Sequence, residues 1–275
     1  MKNVAWSICA LASVAIVPPA YAQERPFDRS AERRSGDRSG SDWRLHLSSG
    51  VSYVTRDGEL GRTNYYRVPF GARFSKGPFR LSASIPYVIV KGPGAVIGDG
   101  DDEVDGIDST ADGTRRGIGD LRLTARYRLP KSSLGGFELD LLGRVKVPTA
   151  SREKRLGTGE VDYAVGAELS REMGQFEPFV SAQYRLNGDR PDFDYRNTVA
   201  ASAGTAVRLG RGLRASLSYD YSQSRIRGRS GSHSLDAGVS TRLSKRLSLS
   251  GSGSVGLSER APDFGLGSTI TWRAF

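Results

Sequence analysis

Cysteine and histidine are scarce in this chain, and hydrophobic residues rarely run together. The 275 residues include a single cysteine, Cys9, and two histidines, His46 and His233. Cys9 lies in an N-terminal stretch that we expect to be removed, so the mature chain would form no disulfide and use no thiolate chemistry. With so few histidines the sequence has no pair at zinc-site spacing, and it has no nucleophile elbow.

No segment after Ala22 is apolar and long enough to form a membrane helix. Before it, Lys2 precedes an apolar stretch at residues 4–17, which is followed by prolines and then by small residues up to Ala22. This order is typical of a secretory signal peptide cleaved after Ala22, and the stretch is too short and too interrupted for a transmembrane anchor. Residues 23–42 are polar and rich in Arg, Ser and Gly, and we expect them to form a disordered arm.

Apolar and polar residues alternate along most of the chain after residue 42. At its end, Phe264, Leu266, Ile270 and Trp272 alternate with small polar residues, and the chain stops at Phe275. A period of two predicts a strand with one apolar and one polar face. About twelve such segments can be counted. They cover residues 43–55, 63–74, 79–91, 118–129, 137–149, 160–172, 176–186, 197–209, 213–224, 232–243, 247–258 and 263–275.

The polar face of these segments is too charged for a dry core. In the fourth segment, Asp120, Arg122, Arg126 and Arg128 share one face, and charge at every second residue cannot be buried without water or partners. Water inside a barrel and lipid outside would suit both faces. The sequence therefore predicts an all-β fold, a transmembrane antiparallel up-and-down β-barrel of about 12 strands.

The connections alternate in length, which favours this barrel over a soluble β-sandwich. Short turns at residues 75–77, 131–134, 173–175, 210–211 and 244–246 alternate with longer links at residues 56–62, 92–117, 150–159, 187–196 and 225–231. This is the pattern of periplasmic turns and extracellular loops. Proline is the misfit, because Pro69, Pro86 and Pro178 fall inside strands, where each removes a ladder hydrogen bond. We expect a bulge or wall defect where Pro69 and Pro86 lie near each other.

Charges on the polar face form the candidate functional site. Folding the chain about residues 131–134 places Arg126 and Arg128 opposite Glu138 and Asp140. The expected charge layer across the lumen consists of Arg122, Arg126, Arg128, Glu138, Asp140, Arg144, Glu160 and Asp162. Such a layer would either orient a polar solute in a narrow pore, or fill and stiffen the interior of a small barrel.

A ring of basic residues is expected near the periplasmic ends of the strands. Its members are Arg44, Arg73, Arg80, Arg126, Arg128, Arg208, Arg214, Arg242 and Arg273. The ring would make the exit attract anions, or it would be an interfacial feature with no role in selection. If it selects, reversing the charges of Arg126 and Arg128 shifts the channel toward cations.

The link at residues 92–117 is strongly acidic. Its acids include Asp99, Asp101, Asp102, Glu103 and Asp105. Carboxylates suit hard cations such as Ca²⁺, but Val104 stands where an EF-hand requires glycine and Thr110 where it requires glutamate. We therefore expect a solvated extracellular loop rather than a metal site, and no cofactor.

Two other function classes are disfavoured by the sequence. The net charge of +10 would suit nucleic acid, but an export signal and arginines spread over alternating strands, without a nucleic-acid motif, argue against it. For catalysis, His233 lies between Ser232 and Ser234. Direct neighbours on a strand point to opposite faces, so these residues form no Ser-His-Asp arrangement.

Several glycine-rich hairpin segments resemble a known family of outer-membrane proteins. They are GIGDLRLTARYRL at residues 117–129, VKVPT at 145–149, and GTGEVDYAVGAELS at 157–170, followed by FEPFVSAQYRLNGD. Over roughly residues 117–189 the chain is similar to barrels labelled as transporters or as members of the MetA pathway of phenol degradation. The resemblance implies a single barrel, no cofactor, and passive passage of small molecules, including aromatic or apolar ones.

Together these features predict a signal peptide at residues 1–22, a periplasmic arm at 23–42 and a barrel at 43–275 in the outer membrane of a Gram-negative bacterium. The expected function is a channel for passive diffusion of small solutes, aromatic or weakly anionic. The alternatives are a closed structural or surface-interaction barrel that acts through its extracellular loops, and a barrel-embedded lipid-modifying hydrolase.

Expected partners are outer-membrane lipid and lipopolysaccharide, the barrel-assembly machinery and a small-molecule solute, but not nucleic acid. For the assembly machinery one departure matters, since Phe275 is out of phase with Ile270 and Trp272.

Overall fold

The computed structural model describes residues 43–58, 61–93, 95–96, 105–106, 113–129, 134–188, 195–210 and 212–275. The expected signal peptide and arm lie outside these residues. The strands are β1 Arg44–Gly58, β2 Gly61–Lys76, β3 Phe79–Lys91, β4 Ala95–Val96, β5 Asp105–Gly106, β6 Thr114–Ile118, β7 Leu121–Arg128, β8 Phe137–Val147, β9 Asp162–Arg171, β10 Phe176–Leu186, β11 Thr198–Arg208, β12 Leu213–Ser222, β13 Ser232–Arg242, β14 Leu247–Gly256 and β15 Phe264–Arg273. Nowhere in these ranges is there a helix long and apolar enough to span a membrane.

Thirteen of the strands form one closed antiparallel sheet. Each of these strands except β6 pairs with a neighbour in sequence, and β1 pairs with both β2 and β15, which closes the barrel. Because β6 and β7 follow one another along β3, they share one position in the wall, and the barrel has twelve positions. The predicted fold class is confirmed. The remaining strands, β4 and β5, pair only with each other.

The two faces of the wall have opposite character. Large apolar side chains such as Leu141 and Leu217 are exposed, whereas Asp140, beside Leu141 in the sequence, is only 2% exposed. A soluble protein shows the reverse pattern, with charges outside and leucines inside. The exterior therefore suits lipid, and the polar interior is the lumen of the barrel.

The two central prolines lie directly opposite each other, and the register of β2 with β3 runs through them unbroken. The expected defect between these two strands is therefore wrong. Neither residue has an N–H group, so Pro69 and Pro86 occupy a pair that exchanges no ladder hydrogen bonds. Their backbone groups point to the flanking strands instead, and the carbonyl of Pro86 accepts a bond from the Gly119 amide at 2.8 Å.

The wall is irregular on both flanks of the proline pair. On one side, the pairing of β1 with β2 skips Gly50 and Val51. On the other, the register of β3 shifts by one residue between β7 and β6, so Gly119 and Asp120 form a bulge. The predicted fourth strand is therefore two strands. Pro178 disturbs nothing, because the pairing of β10 with β9 begins at Phe179.

The link between β8 and β9, at residues 148–161, packs against the inside of the wall. Leu156 is buried there in an apolar cluster with Tyr65, Val88, Val90 and Ala150. The two valines and Tyr65 occupy inward positions on β2 and β3 close to the ends that the long links join. The upper lumen therefore has an apolar lining on this side, below which the charged strands begin.

Candidate functional site

The predicted charge layer lies on neighbouring strands of one half of the barrel. Arg122, Arg126 and Arg128 are on β7, Glu138, Asp140 and Arg144 on β8, Asp162 begins β9, and Glu160 lies just before it. Six of them are buried: Arg122, Arg126, Glu138, Asp140, Arg144 and Asp162. The alternation of burial along these strands turns them all into the lumen. The structure thus brings the predicted residues together.

Arg128 on β7 and Asp140 on β8 form a bidentate ion pair. Arg128 and Asp140 are cross-strand partners, and the guanidinium donates from Nε to Oδ1 at 2.8 Å and from Nη2 to Oδ2 at 3.1 Å. Glu138 lies 4.0 Å from the same Nε. The register differs from the predicted one for Arg126, whose cross-strand partner is Leu142.

Lys146 is a buried cation of the lumen that the predicted charge layer does not include. Its ammonium group, on a side chain only 2% exposed, lies 2.7 Å from Oδ2 of Asp162 and 3.4 Å from Oδ2 of Asp120. It also donates to Oγ1 of Thr158 at 2.6 Å, and the Asp120 carboxylate accepts from the Ala150 amide at 3.0 Å. These contacts fasten the link at residues 148–161 to the barrel wall. The alternation of β8 puts Lys146 in phase with Arg144, which was the signal available in the sequence.

The opposite half of the lumen carries many small side chains, between charged residues such as Arg214, Asp236 and Arg242. On β14 four serines follow at every second position, Ser248, Ser250, Ser252 and Ser254. Similar positions on the neighbouring strands are Ser216, Ser218, Ser240, Gly267, Thr269, Thr271, Ser48, Gly50 and Ser52. The lumen is therefore asymmetric, with long charged side chains on β7 to β10 facing hydroxyl groups and glycines. Sequence reasoning that followed only the charges missed this half.

A wide apolar groove lies on the outer wall beside the proline pair. The groove is open to the outside and has a volume of about 1000 Å³. Its lining includes Leu47, Val51, Phe70, Ile270 and Trp272. These side chains are all exposed on the lipid-facing side. The groove coincides with the interrupted pairing of β1 with β2, where small side chains such as Ala72 thin the wall.

The two histidines lie on opposite faces of the barrel wall. His46 faces the lumen, and its cross-strand partners are Arg73 and Arg273. The ring of His233 packs outside against Tyr219 and Tyr221, and its Nδ1 bonds the Tyr219 hydroxyl. The nearby carboxylates of β12 and β13 point to the other side of the wall.

The residues described hold no cluster of acidic, histidine or cysteine side chains that could bind a metal. Four of the predicted loop acids, Asp99, Asp101, Asp102 and Glu103, lie outside the described residues. Asp105 is the first residue of β5, where its cross-strand partner is Val96.

The barrel is similar to known outer-membrane structures. An outer membrane channel from Pseudomonas putida F1 has a TM-score of 0.62 and 16% identity, covering 84% of this chain and 95% of that one. The translocator domain of the autotransporter NalP from Neisseria meningitidis has a TM-score of 0.51 and 12% identity, covering 92% and 96%. The monoaromatic hydrocarbon channel CymD has a TM-score of 0.45 and 16% identity, covering 84% and 88%. The first two likenesses show a shared outer-membrane barrel fold.

No curated protein matches the sequence. The family match extends well beyond the hairpins that first suggested it, and it spans nearly the whole barrel. The chain matches the family described as "Putative MetA-pathway of phenol degradation" over residues 37–274 and therefore belongs to that family.

Proposed function

We propose that the protein is a channel in the outer membrane of a Gram-negative bacterium for passive diffusion of small solutes, aromatic or weakly anionic. The asymmetric polar lumen carries this proposal. A barrel that only anchors or displays its loops has no need for a half-lumen of serine, threonine and glycine. The family description, which names phenol degradation, supports an aromatic solute.

We place the path of the solute along the small-residue half of the lumen. Paired charges such as Arg128 with Asp140 fill the other half, and their close contacts stiffen that wall. Serine hydroxyls on β14 offer donors and acceptors that rotate to suit a passing solute. Both interpretations of the charge layer are thus combined: it packs one half of the barrel and sets the field across the other.

Two partners follow from the outside of the barrel. The exposed apolar wall suits outer-membrane lipid and lipopolysaccharide. The C-terminal strand suits the barrel-assembly machinery, because the Leu45 amide donates to the Phe275 carbonyl at 3.1 Å and keeps the chain end next to β1. The fold neighbours are channels and a translocator, which supports a non-enzymatic role.

Single-channel recording with a directed block tests the proposed path. The chain without residues 1–22 is refolded with Ser250→Cys, reconstituted in a planar bilayer and treated with a bulky, charged thiol reagent. Because Ser250 faces the lumen, the reagent should lower the current by about half or more. The matched control is Leu249→Cys, whose side chain lies one residue away on the other face, and it should keep its current.

A silent bilayer would overturn the proposal if heat-modifiable gel mobility showed the barrel to be folded. The closed barrel acting through its loops would then be favoured. Equal block in the two variants would remove the argument for a path along β14, even if discrete conductance steps were present.

A further inference from the structure

Three inward residues form a row across the wall near the ends that the long links join. Val90 on β3 is the cross-strand partner of Tyr65 on β2 and of Arg115 on β6. Tyr65 and Val90 are only 3% and 0% exposed. Cβ atoms of such partners lie roughly 4.5–5.5 Å apart, so the guanidinium of Arg115 and the ring of Tyr65 stand on either side of Val90, over one small area of the lumen.

Among the described residues, the Arg115 guanidinium and the Tyr65 hydroxyl of this row have no hydrogen-bond acceptor. Nε, Nη1 and Nη2 of Arg115 are all shielded from solvent, and none has a hydrogen-bond partner in the described part of the chain. Under the same restriction, no group meets the buried Tyr65 hydroxyl with hydrogen-bond distance and angle, and the neighbouring Thr63 hydroxyl donates to the Pro93 carbonyl at 3.2 Å instead. Buried charged donors are normally paired, because leaving them unpaired is strongly unfavourable. Other arginines show the usual arrangement, such as Arg214, which donates to Glu177 at 2.8 Å.

The charges around the row are also positive. Arg56 and Arg115 both lie within electrostatic range of the Tyr65 hydroxyl. Arg155, in the link at residues 148–161, lies within range of Arg115. Arg155 has a φ of 52°, a left-handed conformation that is unusual for a residue with a side chain. Two arginines near the phenol, with a third near Arg115, create a local field that favours an anion.

A buried apolar cluster lies beside these donors. Val88, Val90 and Leu156 pack together there with the ring of Tyr65. Leu156 lies directly against Gly117, two residues after Arg115, where an added Cβ would be 2.8 Å from Leu156 Cδ1. A ligand held by the arginine would therefore lie at the edge of this buried apolar cluster, with its remaining atoms next to apolar side chains.

We propose that Arg115 and the Tyr65 hydroxyl form a binding subsite for a small carboxylate that carries an apolar body. The planar guanidinium suits the two oxygens of a carboxylate, and the phenol supplies a further donor. The apolar body would lie along Val88, Val90 and Leu156. This inference rests on the proposed channel function and names the solute class that pauses at the loop end of the lumen before passage.

Binding of benzoate to the refolded barrel in detergent micelles tests the subsite, with benzyl alcohol as the neutral probe of similar shape. Arg115→Gln removes the charged fork, and we expect it to weaken benzoate binding roughly tenfold to a hundredfold. Arg116→Gln is the matched control, because Arg116 is the next residue on β6 but is exposed on the outer face. It should change benzoate binding by less than about twofold, as expected for an exposed charge. Benzyl alcohol should bind both variants alike.

Tyr65→Phe and Arg115→Lys keep the test decisive if Arg115→Gln fails to fold. The phenylalanine removes only the hydroxyl, and the lysine keeps the charge without the fork, so each should weaken benzoate binding by a smaller factor. Absence of benzoate binding to the unaltered barrel, or equal binding by the Arg115 and Arg116 variants, would overturn the subsite. Conductance is recorded separately. Arg115-dependent binding in a silent barrel would reject the channel but keep the subsite, and open channels without benzoate binding would do the reverse.

Discussion

At the level of single residues, burial inside this barrel selects charges that have partners. Lys146 is almost fully buried, yet it contacts two carboxylates and a hydroxyl, on Asp162, Asp120 and Thr158. Removing the cation leaves the two carboxylates close together, and among the described residues Asp162 then keeps only the more distant Arg225, at 3.7 Å, as a partner of opposite charge. The cation is therefore a structural element of the lumen, since it holds the link at residues 148–161 to β8 and β9.

Replacing Lys146 by methionine should destabilise the barrel strongly. The methionine keeps the length of the side chain, but the carboxylates of Asp120 and Asp162 lose their shared cation, and we expect the free energy of unfolding to fall by about 3–5 kcal/mol. Urea titration followed by tryptophan fluorescence measures the change. Lys154→Met, at an exposed position of the same link, should change it by less than about 0.5 kcal/mol.

Partial rescue distinguishes lost charge pairing from lost packing. Adding Asp162→Asn to the Lys146→Met variant removes one of the two neighbouring negative charges and should recover part of the stability. A Lys146→Met barrel that unfolds at the same urea concentration as the unaltered barrel would show that these contacts do not stabilise the lumen.

At the level of elements, Pro69 and Pro86 shape the wall because neither can donate a backbone hydrogen bond to the strand beside it. Pro69 and Pro86 face each other at no loss to the β2–β3 pairing, and the irregular pairing falls on β1 and on the break between β6 and β7. The outer groove lies along the same flank. The local weakness of the wall thus follows from two residues on adjacent strands.

Replacing Pro69 by alanine should close the β1–β2 pairing. Alanine restores an N–H group that points toward β1, opposite Gly50, and can complete the ladder there. Amide hydrogen exchange at Gly50 and Val51 should slow by about fivefold, as expected for one added hydrogen bond. The control is Pro178→Ala, because Pro178 lies beyond the end of the β9–β10 pairing and should leave β1 unchanged. Unaltered exchange in both variants would assign the gap to another cause.

The link between β8 and β9 is the other element that sets the shape of the lumen. Leu156→Ala should destabilise the barrel by about 2–5 kcal/mol, because it removes a buried side chain from the apolar cluster. It should also raise single-channel conductance, because the smaller alanine side chain fills less of the lumen near the long-link end. Leu169→Ala, on the outer face of β9, serves as the control for conductance. Conductance that stays equal in the two variants would place the solute path away from Leu156.

How far the sequence predicted these elements depends on the range of the interactions that define them. The alternation of apolar and polar residues is visible within each strand, so the sequence predicts most strands to within a few residues. The pairing of Arg128 with Asp140 depends only on the hairpin that joins β7 and β8. The break at Gly119 depends on which strand lies opposite Pro86, and the inward packing of Leu156 depends on contacts with β2 and β3. Arg115 was placed in a loop, because the few residues of β6 become a strand only by pairing with β3. These features are long-range and leave no local pattern.

At the level of the whole molecule, the asymmetry of the lumen determines which charges face a solute. Arg128 is neutralised locally by Asp140, so its charge contributes little to the field of the lumen. Arg80 and Arg126 are cross-strand partners of like charge on β3 and β7, near the short-turn end, so two positive charges lie close together there. A cavity of about 20 Å³, the size of one water, borders both residues. If the basic ring selects anions, these two arginines are the members through which it should act.

Neutralising Arg80 and Arg126 should reduce anion preference in the open channel. We expect the unaltered barrel to prefer chloride over potassium in a salt gradient, and Arg80→Gln with Arg126→Gln to lower that preference by about twofold. Glutamine keeps hydrogen-bonding capacity, and it introduces no carboxylates beside Glu138 and Asp140, as charge reversal would. The control neutralises Lys76 and Arg171, which lie at the same end but on the outer face, over Trp43 and Phe137. If reversal potentials stay the same in the lumen variant, the ring belongs to the membrane interface, whereas a shift that the outer-face control reproduces reports only surface charge. A shift confined to the lumen variant would place ion selection at the narrow basic end of the barrel, opposite the subsite proposed at Arg115.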